Sequence, residues 1–159
     1  MSGVASGMVG LGVSAARVEM RTPVLVAYRP WLRAAAVYNL VWGSGVVLFP
    51  HFLFDALGLA VPAPAAIWQV VGMFVLVYAP AYWWASGDPV RHRHLLLVGL
   101  AGKTLGPLGY VWAAVSGALP VEFGWIVLAN DLVWWPALAA CVHQTSRASG
   151  GWSRFVRGD

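Results

Sequence analysis

Polar residues are nearly absent from four long stretches of this chain, and the gaps between them are short and rich in proline, glycine and charge. The apolar runs cover residues 32–50, 65–86, 94–117 and 121–143. Each approaches the ~20 residues that a helix needs to cross a hydrocarbon core about 30 Å thick. A bilayer forces each segment to satisfy its own backbone hydrogen bonds, which selects helices. The pattern predicts an all-α fold, an integral membrane four-helix bundle over residues 29–145. Boundary residues agree. Pro64 suits the first turn of the second helix, and Asp88-Pro89 reads as an N-cap followed by an N1 proline before the third. Gly117 to Pro120 reads as a tight turn between the third and fourth. Pro80, Pro107 and Pro136 fall inside the runs, where each removes a backbone donor and kinks its helix.

The flanks differ in character. Residues 1–28 predict a disordered tail: Gly3, Gly7, Gly10 and Gly12 disfavour a helix. Arg17 and Arg21 follow the weak apolar stretch there, the reverse of a secretory signal. Met20 is an alternative start. Residues 146–159 read as a cytoplasmic tail. The loop from Pro50 to Pro64 is unusually apolar (Phe49, Phe52, Leu53, Phe54, Leu57, Leu59). Two readings stand for it: a short interfacial or re-entrant segment, or a loop packed over the mouth of the bundle.

Composition excludes the soluble alternative. Only 10% of the 159 residues are charged, against about 25% in soluble domains, and mean hydropathy is +0.70. The net charge of +4 does not point to nucleic acid, because its sources flank the membrane segments. Arg17, Arg21, Arg29 and Arg33 precede the first helix, Arg91 and Arg93 lie in the middle loop, and Arg147, Arg154 and Arg157 follow the last. The other two loops carry only His51, Asp55 and Glu122. The positive-inside rule then puts both termini in the cytoplasm. Trp31, Trp83 and Trp84 suit the inner interface, and Trp68, Trp112 and Trp125 the outer one. Trp42, Trp134 and Trp135 fall deeper. The single Cys141 excludes an intramolecular disulfide and reads as a small apolar residue near a helix end.

Polar groups at membrane depth are costly and mark candidate sites. They are Asn39 and Trp42 on the first helix, Gln69 on the second, Lys103 and Thr104 on the third, and Asn130 and Asp131 on the fourth. Lys103 lies roughly 14 Å from the cytoplasmic end of its helix and Asp131 roughly 15 Å from the outer end of the next. Both reach the midplane, so an ion pair is natural, and either charge alone would be heavily penalised. Two readings stand for the pair: a functional centre (proton relay, acid or base, or anchor for a polar head), or a structural clasp between helices. Asp131, Trp134 and Trp135 share a face at helical spacing, as do Asn39, Trp42 and Gly43. Gly102 and Gly106 form a small-xxx-small pair that permits close helix approach. His92, His94 and His143 lie on the cytoplasmic side, but nothing fixes their mutual distance, and no metal or other cofactor is expected. No phosphate-binding glycine loop, HExxH, G-x-S-x-G or paired carboxylates occur.

Tyr38-Asn-Leu-Val-Trp-Gly43, Gly72-Met-Phe-Val-Leu-Val-Tyr78, Gly99-Leu-Ala-Gly-Lys103 and Asn130-Asp-Leu-Val-Trp-Trp135 together resemble small bacterial four-helix membrane proteins loosely grouped as DoxX-like. The resemblance spans residues 30 to 143 and implies a multi-pass protein of a bacterial inner membrane, with no substrate attached. Three functions fit the residues. The first is binding or converting a small lipophilic molecule, such as a quinone, isoprenoid or lipid, at a mid-membrane site. That site would be drawn from Lys103, Asp131, Asn130, Asn39, Trp42, Trp134, Trp135 and Gln69, with Lys103, Asp131, Asn39 and Trp42 lining one cavity. The second is an accessory subunit of a larger membrane complex, and the third a small oligomeric transporter. The expected partners are membrane lipid, a lipophilic ligand, and another membrane protein or a second copy.

Overall fold

The computed structural model describes residues 24–61 and 64–157, and it is all-helical, with no strand among the described residues. The expected disordered tail lies, for residues 1–23, outside the described residues. Residues 24–26 make a helical turn with Leu25 buried. The first long helix, α1 (Arg29–Leu48), starts at Arg29-Pro30, where a proline without an N–H suits the first turn. A short helix, α2 (Phe52–Leu57), follows. It ends at Gly58, whose left-handed φ of 65° lets the Leu59 N–H reach back to the Phe54 carbonyl. Next come α3 (Ala65–Gly87) and α4 (Arg93–Val115), each 23 residues long with a proline inside, Pro80 and Pro107.

Two boundaries correct the sequence reading. Pro64 is the extended residue before α3 rather than part of its first turn. Asp88 does not cap α4. It ends α3 and accepts the Arg91 N–H at 3.0 Å, so the chain turns through residues 88–92 before α4 begins. The side chain that was to start a helix stabilises a turn instead, a competition typical of aspartate. The turn after α4 agrees with expectation. Gly117 at φ 74° closes it, with Gly117 bonded to Ala114 and Ala118 to Ala113, the paired bonds of a Schellman ending.

The fourth apolar run is not one regular helix. A 3₁₀ turn (Val121–Phe123) leads into α5 (Gly124–Val127), then a π-helical segment (Leu128–Leu132), and α6 (Trp135–Ala148) begins with Pro136 in its first turn. Pro136 therefore does not kink a continuous helix. It opens a new one just after the wide turn. Beyond a second glycine ending at Gly150 and Gly151, a final helix, α7 (Trp152–Arg157), folds back, and Phe155 is fully buried. The sequence reading had treated 146–159 only as a tail.

α1 and α3 run antiparallel in contact along their length. Gln69 Nε2 donates to the Val47 carbonyl at one end, and the Arg29 guanidinium donates to the Gly87 carbonyl at the other. Midway they nearly touch: a Cβ on Gly43 would stand 2.8 Å from the Gly72 carbonyl oxygen. Two apolar clusters sit at opposite ends of the protein. One gathers Leu32, Ala36, Tyr82, Leu96, Val142 and Phe155; the other gathers Val46, Phe54, Trp68 and Ile126. The arginine-bearing helix ends meet at the first. Arg93 Nε donates to the Phe155 carbonyl, and the Arg33 guanidinium lies over the Trp83 ring. The acidic loops meet at the second, where Phe54 faces Phe123 across 6.4 Å. α2 packs Phe54 inward over this end of the protein and leaves Phe52 exposed.

Three helical segments are long and apolar enough to cross a membrane: Ala65–Gly87, Arg93–Val115 and Val121–Ala148. α1 has the length but carries Arg29, Arg33 and Asn39, and it does not join them. Only 22%, 17% and 33% of the three apolar windows is buried within the protein, so the faces bearing Phe74, Val77, Leu105, Leu108 and Val115 are open. So much exposed apolar surface is foreign to soluble monomers and suits hydrocarbon.

Candidate functional site

Between the two apolar clusters lies a polar layer, and the wide turn in the fourth run builds it. In the π segment the Val133 N–H reaches back five residues to the Leu128 carbonyl, while Trp134 bonds to Asp131 only three back. Wide turns of this kind recur at functional sites. Side chains take carbonyls where the regular ladder is broken. Trp134 Nε1 donates to Ala129, and Lys103 Nζ donates to Asn130. Lys103 Nζ also lies 3.1 Å from Asp131 Oδ1, both residues being buried, and Asn130 Nδ2 donates to the same oxygen at 3.0 Å. The expected ion pair is present, and Lys103 and Asn130 both hold its carboxylate at Oδ1.

The second carboxylate oxygen rests over α4 at Gly106, where a Cβ would stand 2.7 Å from Oδ2. Gly106 belongs to a ladder. A Cβ on Gly99 would meet the Tyr82 ring at 2.7 Å, and one on Gly102 the Tyr78 hydroxyl at 3.0 Å. The small-xxx-small pattern on α4 thus seats polar side chains from its neighbours, whereas the close approach of two helix backbones is made by Gly43 and Gly72.

A cavity of about 250 Å³ opens beside the pair. Asn130 and Asp131 bound it on one side, Gly106 and Gly109 on another, and Trp42, Trp68 and Phe123 supply aromatic walls. Trp68 stands edge-on to Trp42, Phe54 and Phe123 at 5.7, 5.1 and 5.8 Å. Its indole N–H is buried without a hydrogen-bond partner, as are the Asn130 Oδ1 atom, the Tyr82 hydroxyl and both side-chain atoms of Asn39. Buried polar atoms are almost always bonded; two of these, on Trp68 and Asn130, belong to cavity-lining residues, while Tyr82 packs in the apolar cluster at the arginine-bearing end.

Of the residues singled out in the sequence, Asn130, Asp131 and Trp42 line the cavity. Lys103 stands behind Asp131 rather than in the lining, and Asn39 is buried at 1% exposure without lining it. The expectation that Lys103, Asp131, Asn39 and Trp42 would share one lining therefore holds for two of the four. Of the three residues expected to share a face, Asp131 and Trp135 both meet α4. Trp134 packs on α1 against Tyr38, with ring centroids 5.0 Å apart, and Trp135 turns to α4, donating to Thr104 Oγ1 at 2.9 Å. Gln69 ties α3 to α1 at Val47. Trp68, expected at the outer interface, is buried at 6% exposure, while Trp31, Trp83, Trp84, Trp112 and Trp125 are exposed. Among the described residues no three His, Cys, Asp or Glu side chains cluster as metal ligands, and His94 bonds to the Val156 carbonyl.

The sequence reading missed Tyr78, Tyr82 and Trp68. The signal for the tyrosines was the glycine ladder, since Gly99 and Gly102 face aromatic residues four apart on α3. Trp68 carried no such signal, because its burial depends on α2 folding over it. Compared with known proteins, the chain matches no family model, no curated protein and no solved structure.

Proposed function

We propose that this chain is an integral membrane protein that binds or converts a small lipophilic molecule in the cavity beside Asp131. The observation that carries the reading is a carboxylate held by Lys103 and Asn130 at the edge of an aromatic-walled cavity of about 250 Å³. Binding sites for small molecules are concave, mostly apolar, and fixed by a few convergent polar groups. In this reading α1, α3, α4 and the broken fourth run form a four-helix bundle with the arginine-bearing end and both termini in the cytoplasm. The DoxX-like resemblance supports a bacterial inner membrane as its location. Asp131 holds charge or a proton at mid-membrane, Lys103 balances it, and the indoles shape the apolar slot.

The test is native mass spectrometry of the protein purified gently from its own membrane. A co-purifying lipophile, lost in Asp131→Asn, is the expected result. A protein partner at fixed stoichiometry with no small molecule would overturn the proposal in favour of an accessory subunit.

A further inference from the structure

The cavity has a neighbour that shares one wall with it. A groove of about 500 Å³ runs between α1 and α2, lined by Trp42, Gly45, Val46, Phe49, Phe52 and Leu53, and Trp42 also lines the polar cavity. Every residue along the groove is apolar or glycine, and Phe49 and Phe52 are exposed. Trp42 is the one residue that the groove and the cavity have in common. The cavity itself carries one charged side chain, Asp131, which Lys103 already neutralises. A cation or an anion entering from lipid would find no net counter-charge, and an anion would meet the carboxylate.

The unpaired groups set the rest of the chemistry. The cavity-lining Asn130 has an acceptor oxygen without a donor, and the cavity-lining Trp68 has an N–H without an acceptor. A hydroxyl serves both, since it donates once and accepts twice. Resting on the binding function proposed above, we infer that the ligand is a neutral, hydroxyl-headed amphiphile: its hydroxyl lies between Asn130 and Trp68, and its single apolar chain leaves along the α1–α2 groove. Long-chain alcohols and monoacylglycerols have this chemistry.

Two glycines suit a test, because a Cβ at Gly45 or Gly109 would meet nothing within 4 Å. Gly45 lines the groove only, and Gly109 the cavity only. Binding is read in lipid nanodiscs as the part of tryptophan quenching by 12-bromo-1-dodecanol that an unbrominated competitor reverses. 1-Dodecanol is expected to compete at least about tenfold better than dodecyl methyl ether or dodecanoate, one lost hydrogen bond being worth about that factor. Gly45→Leu is expected to weaken 1-dodecanol about tenfold and leave 1-hexanol unchanged, and Gly109→Leu to abolish both. Equal competition by the ether overturns the hydroxyl head, and unaltered 1-dodecanol affinity in Gly45→Leu overturns the groove. The absence of any reversible quenching overturns the inference as a whole, while a different lipophile co-purifying with the protein would leave the broader function standing. Binding that survives Gly109→Leu overturns the broader function too.

Discussion

Asp131 is fixed by three neighbours that act in different ways. Lys103 supplies charge, Asn130 supplies a hydrogen bond, and Gly106 supplies space. Removing one partner of a buried pair strands the other charge, at a cost of about 3–5 kcal/mol. Lys103→Met is therefore expected to destabilise the protein by that amount in thermal unfolding in detergent or nanodiscs. The double variant Lys103→Met/Asp131→Leu should recover most of the loss, because an apolar pair of similar volume needs no desolvation. If the pair serves only as a clasp, the refolded double variant keeps its ligand; the proposed function requires that it lose it. At Gly106 a methyl group would press on Asp131 Oδ2. Gly106→Ala should then cost about 1–3 kcal/mol, as overpacking does. Gly109→Ala, with open space around it, should be neutral or stabilising by up to about 1 kcal/mol through its gain in helix propensity. Equal effects at the two glycines would contradict the seating of the carboxylate on α4.

Elements matter because they bring these residues to one depth. α1 is not among the segments apolar enough to cross a membrane, and it approaches α3 most closely at Gly43 and Gly72. Gly43→Val would drive a branched side chain into the Gly72 carbonyl and Leu76, so the two helices must separate. A fall in stability of about 1–3 kcal/mol is expected, together with weaker ligand binding, because Trp42 precedes the contact. Gly45→Val, two residues on and in open space, is the control for stability alone, since Gly45 lines the α1–α2 groove. The fourth run shows the converse, an element whose irregularity does the positioning. After its π turn Trp134 packs on α1, while Trp135 bonds to α4, the helix on which Asp131 also rests. Apolar periodicity predicts a helix over 121–143, and the helical segment runs on to Ala148. The periodicity carried no sign of the wide turn, because Leu128 to Leu132 satisfy a regular helix equally well.

At the scale of the whole molecule, the arginine-bearing helix ends gather at one pole and the acidic loops at the other. Topology is open to direct measurement in a Cys141→Ala background. Glu122→Cys and Ser153→Cys place single thiols at exposed positions at opposite poles. An impermeant maleimide added outside intact cells is expected to label the first and spare the second, and the reverse pattern would invert the proposed orientation. The C-terminal segment belongs to the fold at the arginine pole. Phe155 is fully buried, and Arg93 and His94 hold the backbone of α7. Phe155→Ala is expected to cost about 3–5 kcal/mol, seen as a lower Tm and earlier proteolysis after α6. A freely solvated tail would show neither.

Composition and apolar run length alone determined that this chain is helical and suited to a membrane, because a chain with 10% charged residues cannot cover itself in water. Depth counting along those runs also placed Lys103 opposite Asp131, since antiparallel neighbours joined by a short turn share a midplane. The cavity was not legible in the same way. It depends on where α2 folds back over Trp68, on which glycine seats which side chain, and on a wide turn that carries Asn130 and Asp131. Those are contacts between segments far apart in the chain. A linear pattern records which residues are costly to bury; only packing decides which of them are buried together and which face an open space.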